Sequence, residues 1–385
     1  MAIGKGVYLK KLTSRTGRFR SVEVGERLEG TSPPSVFIGR SGYPKVYAGP
    51  MLTPSHGDTS GLDTPEGWLD NRFLQTIVNF RLQLVRGKSL VSIKDLDSRF
   101  VSQLQEIAIA KQSPETEAEF KSRPRGVTFN MDHSPFGPSA PIKSLDFSNV
   151  KWEYQLEKVY YDADLKAAEA VVDLYNKNLL FSQIQKAFSV GTMGLGKNRK
   201  LVPTRWSITA VDDTLAGYLL KKVKEYEMID TYQAYQFQAM KNNFVILLLP
   251  TYWQYEWMET FLHVMGSEEL LFSDWEPYTG KTGYSSVGGC FYSVKFAVLE
   301  ALERMQKQAG VVVFREAYRG YIPTGVWLCR EETRKAMQSK PAGFSNLMAA
   351  LEYISSRLAL PMERYRAESR LLRHMRQQTR IASFV

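Results

Sequence analysis

Basic and acidic side chains that could do chemistry lie close together in the middle of the chain. The basic ones, which share one short segment, are Lys197, Arg199, Lys200 and Arg205. Such a segment can contact phosphate groups, because lysine and arginine supply positive charge and hydrogen-bond donors. Asp212 and Asp213 follow, and carboxylates of this kind bind metal ions or exchange protons during catalysis.

The elements around these residues decide whether they can act together. Alternation of polar and apolar residues predicts a strand at 206–211, with Arg205 and Ser207 on one face. The two aspartates would then stand at the end of the strand, before a helix at about 214–227. This arrangement predicts a phosphate or nucleic-acid site, or an enzyme site around Arg205, Ser207, Asp212 and Asp213. The alternative is a solvated loop, a half-exposed strand and an aspartate that caps the helix.

The segment Gly191–Asn198 nearly matches a P-loop. Asn198 stands where that motif needs a serine or threonine hydroxyl for magnesium. Pro203 also follows too soon for the helix whose N-terminal amides would hold the phosphate. Both features argue against a nucleoside triphosphatase.

A second pattern ends the chain, and its members are Gln378, Ile381, Phe384 and Val385. In a single 3₁₀ turn, Ile381 and Phe384 would lie on one side and form a small apolar plug. The pattern resembles the PIP box, by which replication and repair proteins dock on the sliding clamp PCNA. It departs at Val385, where a second aromatic is usual, and valine buries less apolar area. The alternative is a tail that folds back on its own domain or frays.

The chain is strongly basic, with a net charge of +10 over 385 residues and a pI near 9.3. This charge favours an anionic partner, nucleic acid before a membrane surface, although a basic protein without such a partner is the alternative. The longest apolar run is broken by Pro250 and too short to span a bilayer, and no signal core begins the chain. We therefore expect a cytoplasmic protein without a membrane partner.

Metal ligands are few in this sequence. Cys290 and Cys329 are too few for a zinc site on their own, and the four histidines are scattered. We therefore predict no structural zinc, and the sequence does not identify a cofactor.

Strands and helices are mixed without regular alternation, which predicts an α+β fold. A hairpin is expected at Val36–Ile38 and Lys45–Tyr47, and a pair of strands at 231–240 and 244–249. Further strands are expected at 311–315 and 326–330. The predicted helices span about 67–84, 96–111, 161–188, 255–265, 290–308, 331–338 and 344–357, and a basic helix begins at Pro361.

Four internal strings of the sequence are long and unusual, namely Ser35–Pro50, His133–Pro141, Arg199–Asp212 and Gly288–Tyr292. They resemble the archaeal Nre family of DNA-repair proteins, whose members often end in a PCNA-binding motif. The resemblance implies a larger N-terminal region, a smaller C-terminal α/β region and a free clamp-binding tail. One departure is that some members begin with a cysteine-rich zinc motif, whereas this sequence has no cysteine before Cys290.

These observations predict five segments and a principal function. The segments are a basic arm at 1–30, the N-terminal-type region at 31–268, the C-terminal-type region at 269–360, a basic helix at 361–377 and the tail at 378–385. The expected function is a DNA-repair factor that is recruited to PCNA by the tail and contacts nucleic acid through basic surface. A nucleic-acid- or nucleotide-processing enzyme and a non-catalytic clamp-bound adaptor are the alternatives.

Overall fold

The computed structural model describes residues 4–14, 19–70 and 73–375. These form two compact units, which we describe separately. The first unit contains the described residues of Thr13–Leu215 and Pro323–Trp327. The second contains those of Met1–Leu12, Ala216–Ile322 and Leu328–Val385.

Both units combine helices with one mixed sheet, which confirms the predicted α+β class. The strands are β1 Arg27–Thr31, β2 Val36–Ile38, β3 Lys45–Leu52, β4 Val85–Ser92, β5 Glu115–Phe120, β6 Ser139–Phe147, β7 Tyr232–Ala239, β8 Asn242–Leu249, β9 Gln254–Leu262, β10 Glu269–Glu276, β11 Gly310–Tyr318 and β12 Ala342–Phe344. The helices are α1 Lys5–Ser14, α2 Leu74–Arg81, α3 Arg99–Ile109, α4 Tyr154–Tyr161, α5 Ala167–Asn176, α6 Phe181–Ser189, α7 Thr204–Val223, α8 Gly289–Met305, α9 Trp327–Gln338, α10 Leu347–Ser355 and α11 Met362–Glu368.

The sheet of the first unit has the strand order β1-β5-β6-β4-β3-β2. Its neighbours are antiparallel except β4 and β6, which are parallel. The predicted hairpin is confirmed as β2 and β3, which pair Val36 with Pro50 and Ile38 with Ala48. Apolar residues of this sheet pack against α3, whose Val101, Leu104 and Ile107 are buried.

The sheet of the second unit has the order β10-β9-β11-β8-β7-β12, with only β9 and β11 parallel. Its central strand β8 is buried at every position, which explains its continuous apolar run. The expected strands at 231–240, 244–249 and 311–315 are confirmed as β7, β8 and β11. No helix among the described residues has both the length and the apolarity needed to cross a bilayer.

Three predicted elements are wrong in addition to the strand at 206–211, which is described with the pocket below. The single helix at 161–188 is the end of α4 followed by α5 and α6. One break follows Asp162, whose side chain accepts hydrogen bonds from the backbone of residues 164 and 165, and the other lies at Asn178, which has a left-handed φ of 62°. The helix at 255–265 is strand β9, because its residues pair with β10 and β11. The strand at 326–330 lies mostly in α9.

The described residues of the predicted basic arm include a packed helix. In α1, Tyr8 and Leu12 are buried, and the Tyr8 hydroxyl donates a hydrogen bond of 2.8 Å to Glu268. Lys5 forms an ion pair with the buried Glu259. These contacts fix α1 within the second unit, so this part of the segment is not a flexible arm.

Candidate anion-binding pocket

A cavity of about 190 Å³ in the first unit is lined by three arginines, Arg40, Arg86 and Arg205. We call it the arginine pocket. Arg40 follows β2, Arg86 lies on β4, and Arg205 lies in the first turn of α7. Phe37, Tyr47 and His133 also contribute to the lining, and none of the lining residues is acidic. The pocket therefore combines positive charge with aromatic surface.

Arg86 is the most unusual of these residues, because it is largely buried and carries no ion pair with any described carboxylate. Its guanidinium lies 4.4 Å from the centroid of the Phe37 ring and 5.9 Å from that of Phe136. One nitrogen, Nη2, donates a hydrogen bond of 2.6 Å to the Tyr47 carbonyl oxygen. The buried Nε has no hydrogen-bond partner among the described residues.

Burial lowers the pKa of Arg86 to about 10, so the side chain remains positively charged at neutral pH. Removing a cation from water is unfavourable unless an opposite charge or several acceptors compensate it. Arg81, five residues earlier, has such compensation, because its Nη1 lies 2.6 Å from an Asp63 oxygen. Arg86 has one carbonyl acceptor and two aromatic rings but no carboxylate, and an anionic ligand would supply the missing opposite charge.

The other two arginines differ in their surroundings. Arg205 forms an ion pair of 3.0 Å with Asp132, while Arg40 is exposed and has no ion pair with a described residue. The negative charge of Asp132 neutralises only one of the three arginines, so Arg40, Arg86, Arg205 and Asp132 together carry a net positive charge. An anion that enters the pocket would meet a cation that is already desolvated, at which a charge-assisted hydrogen bond is stronger than in water.

His133 is neutral in this environment. Burial, together with the nearby charges of Arg86, Arg81 and Arg205, lowers its pKa to about 4. Its Nδ1 lies 2.9 Å from the Ser134 carbonyl oxygen, which can only accept a hydrogen bond. The proton is therefore assigned to Nδ1, which leaves Nε2 as an acceptor.

Two glycines allow the backbone to approach closely around the pocket. A Cβ on Gly39 would lie 3.1 Å from the Tyr47 carbonyl oxygen and 3.3 Å from Nη2 of Arg86. Gly325 has a φ of 102°, and a Cβ there would lie 2.5 Å from the His133 carbonyl carbon. A side chain at either position would displace a residue that lines the pocket.

The strand predicted at 206–211 is wrong, because these residues lie within the 20-residue helix α7. The helix begins after Pro203, whose carbonyl oxygen accepts hydrogen bonds from the backbone of Trp206 and Ser207. Buried positions recur every three or four residues, the helical period, at Thr204, Ser207, Val211, Leu215, Leu219 and Val223, and the buried Asp212 and Ala216 lie on the same face. Six residues of apparent alternation were too short to reveal this period.

The helix also separates the residues that the predicted strand would have aligned. Arg205 lines the pocket, whereas Ser207 is buried and accepts a 2.6 Å hydrogen bond from Gln185. Asp212 is fully buried and Asp213 is exposed, and neither lines the pocket. Asp213 is therefore not the residue that caps a helix at 214. The four residues of the alternative enzyme site do not share this cavity.

The other basic residues predicted to bind nucleic acid lie in different settings. Arg199 donates hydrogen bonds to the carbonyl oxygens of Gly194, Val159, Tyr160 and Asp162, at 2.6–3.2 Å. Its guanidinium thus holds the loop before α7 against the end of α4. Lys197 and Lys200 are exposed, and neither lines the arginine pocket.

Sequence reasoning missed Arg40, Arg86 and His133 as pocket residues. Arg40 and His133 lie within two of the strings that carried the family resemblance, Ser35–Pro50 and His133–Pro141. Those strings were therefore an available signal for these two. Arg86 carried no signal, because a single arginine in a strand does not show whether it has a carboxylate partner.

Two sequence predictions bear on parts of the chain away from this pocket. The tail residues Gln378, Ile381, Phe384 and Val385 lie outside the described residues. Across residues 4–14, 19–70 and 73–375, no three histidine, cysteine, aspartate or glutamate side chains are grouped so that they could hold a metal ion. Cys290 and Cys329 are buried as free thiols, with their sulfur atoms 3.4 Å apart.

Comparison with known proteins covers nearly the whole chain. Residues 8–265 match the family model described as Archaeal Nre, N-terminal, and residues 276–384 match Archaeal Nre, C-terminal. The chain is 38% identical to DNA repair protein NreB of Archaeoglobus fulgidus, over 93% of this chain and 92% of that protein. It is 34% identical to DNA repair protein NreA of the same organism, over 88% and 87%.

A third relative comes from a different archaeon. The chain is 31% identical to DNA repair protein NreA of Haloferax volcanii, over 94% of this chain and 90% of that protein. No solved structure matches the chain.

Proposed function

This chain belongs to the archaeal Nre family, and we propose on that premise that it is a DNA-repair factor that binds nucleic acid through the arginine pocket and is recruited to the sliding clamp PCNA by its tail. The relatives that match it over most of their length are named DNA repair proteins. The net charge of +10 agrees with a polyanionic partner.

The observation that carries the nucleic-acid proposal is the uncompensated charge of Arg86. Two other arginines of the pocket lie on separate elements, so three cations converge on one cavity. Phosphate oxygens are acceptors that suit guanidinium donors, and they bring the missing negative charge. A DNA backbone presents such groups in a regular row.

Salt dependence tests this proposal directly. Affinity for a labelled DNA should fall steeply between about 50 and 200 mM salt, because binding releases counterions from the DNA. Arg86→Gln should weaken binding and reduce the slope of log affinity against log salt by about 0.7–0.9, the contribution of one phosphate contact. Fluorescence anisotropy measures both quantities, and circular dichroism checks that the variant folds.

A matched control is Arg304→Gln, which removes an exposed arginine from α8 of the second unit. Its affinity and its salt slope should equal those of the wild type. DNA binding that does not depend on salt would contradict the proposal, and so would equal slopes for Arg86→Gln and the wild type.

The clamp proposal depends on the sequence of the tail and on the helical segment before it. Helix α11 is held on the second unit by Glu316, which accepts hydrogen bonds from the backbone of residues 359 and 360 and from the Tyr365 hydroxyl. Glu256 accepts backbone hydrogen bonds from Arg370 and Leu371 at the start of a further helical stretch that includes residues 370–375. Leu371 and Leu372 are buried in the core of the unit.

These contacts do not involve residues 378–385, so we expect them to persist when the tail is removed. Deletion of the tail should abolish binding to the PCNA of the same organism, as measured by surface plasmon resonance, without a change in the thermal unfolding midpoint. Phe384→Ala should reproduce most of this loss, because it removes the largest apolar group of the motif. Thr379→Ala is the matched control, and undiminished PCNA binding by the deleted chain would refute the tail assignment.

A further inference from the structure

An exposed aromatic pair lies on the two segments that carry Arg40 and Arg205 of the arginine pocket. Tyr43 belongs to the turn between β2 and β3, three residues after Arg40. Trp206 follows Arg205 in the first turn of α7. Their ring centroids are 5.0 Å apart at an interplanar angle of 58°. The rings therefore form one aromatic surface, on chain segments that also carry the pocket-lining residues Ser41 and Arg205.

The exposure of this pair needs an explanation. Trp206 is 42% exposed and Tyr43 is 43% exposed. Each ring would gain stabilisation if its apolar surface were buried. Trp206 is a large apolar side chain that is exposed on α7, whereas the apolar side chains on another face of this helix are buried. An exposed indole beside cationic groups is the arrangement that proteins use to stack a base whose phosphate is held close by.

The size of the cavity limits what enters it. At about 190 Å³ it is smaller than the roughly 300–1,000 Å³ of sites that enclose a drug-sized ligand. A phosphate or a sugar-phosphate group is small enough for such a cavity, whereas a whole nucleotide is larger. A nucleotide whose phosphate lies beside Arg86 would therefore keep its base outside, where the exposed rings are.

We propose that the arginine pocket and the Tyr43–Trp206 pair together bind an unpaired nucleotide of a DNA strand, with its phosphate at Arg86 and its base stacked on the aromatic pair. This proposal rests on the proposed function and adds the form of DNA that is recognised. A paired base has both faces covered within the duplex, so only an unpaired or extruded base can stack on a protein ring. The site thus selects single-stranded segments, such as overhangs and gaps.

The experiment compares three labelled DNAs by fluorescence anisotropy with the full-length chain. These are a thymidine 12-mer, a duplex of the same length, and a duplex with a single-stranded overhang. The strand and the overhang should bind more tightly than the blunt duplex. Trp206→Ala should weaken binding to the strand by about 5- to 150-fold, the effect of losing one base–aromatic stack, and should leave blunt-duplex binding nearly unchanged.

Two further variants separate stacking from folding. Trp206→Phe keeps an aromatic ring and should restore most of the affinity that Trp206→Ala loses. Tyr252→Ala is the matched control, because Tyr252 belongs to a similar exposed pair with Tyr278 in the second unit, with ring centroids 6.0 Å apart. It should bind the strand as the wild type does.

The results distinguish this inference from the proposed function. Salt-dependent DNA binding that is equal for strand and blunt duplex, or that Trp206→Ala does not alter, would overturn the inference and leave the proposed function standing. Absence of any DNA binding would overturn both. A free nucleotide offers the same chemistry, so thymidine monophosphate is used as a competitor. Displacement of the 12-mer by equal concentrations of the monophosphate would overturn the assignment to a strand.

Discussion

Each of the two units holds an arginine that is buried, fully or in large part, among aromatic rings. The two arginines differ in whether a carboxylate neutralises their charge. In the second unit, Arg315 lies over the rings of Tyr321, Phe244 and Phe261, and it pairs with Glu259. Its Nε and Nη2 also donate to Asn242, at 3.0 and 2.8 Å. In the first unit, Arg86 lies over two rings but has no described carboxylate partner.

This difference distinguishes an arginine that stabilises the fold from an arginine that can bind a ligand. Arg315 is fully buried on β11, and its charge is neutralised within its own unit. Arg86 lines a cavity, and its charge stays available to an anion that enters. Burial alone therefore does not identify a binding residue, because a buried arginine with a carboxylate partner, such as Arg315, has a role in stability.

The largest effect is expected from removal of Arg315. Arg315→Met leaves Glu259 with only its contact to Lys5, and it leaves the Asn242 side-chain oxygen without two of its donors. Breaking a buried ion pair in this way should lower the free energy of unfolding by about 3–5 kcal/mol. Chemical denaturation measures this value.

Arg304→Met is the matched control for Arg315→Met, since Arg304 is exposed, and its effect should stay within about 0.5 kcal/mol. Arg86→Met should cost less stability than Arg315→Met while it removes most of the DNA affinity. If Arg86→Met proved as destabilising as Arg315→Met, the distinction between the two arginines would be lost.

An intermediate effect is expected from the titration of His133. Because the folded pKa of about 4 lies below the ordinary value of 6.5, the unfolded chain binds the proton more readily. Stability from this group is fully present above about pH 6.5 and is lost as the pH falls toward 4. The loss is at most about 3 kcal/mol, and partial contact with solvent should reduce it to about 1–2 kcal/mol.

The check on His133 is the free energy of unfolding at pH 7.0 and 4.5 for the wild type and for His133→Gln. The wild type should lose more stability than the variant over this interval. An identical loss in both proteins would show that burial and the neighbouring guanidinium groups do not lower the pKa of His133 in the folded chain.

The smallest effect is expected from the exposed lysines before α7. Lys200→Gln should reduce affinity for DNA less than threefold and the salt slope by about 0.7, without a change in stability. Lys340→Gln, an exposed lysine of the second unit, is the control and should leave both values unchanged. A loss at Lys200 greater than that of Arg86→Gln would place the main phosphate contact in the loop and not in the pocket.

Much of the fold could be predicted from local pattern. The strands β7, β8 and β11 were clear because each is bounded by turn residues, as at Met240 and Lys241 between β7 and β8. The error at 206–211 arose because six alternating residues fit a strand, although a longer window contains the helical period of α7. The error at 255–265 arose because the pairing of β9 with β10 and β11 depends on residues far along the chain.

The sequence by itself determined the net charge, the α+β class and the strings that indicate the Nre family. It also identified Arg205 as a candidate, although within a strand that does not exist. Only the tertiary structure decided which arginines are compensated, because Asp63 lies 18 residues before Arg81 and Glu259 lies 56 residues before Arg315. Arg86 is left without such a partner by the packing of β2, β3 and β4 around it, and no local pattern records that packing.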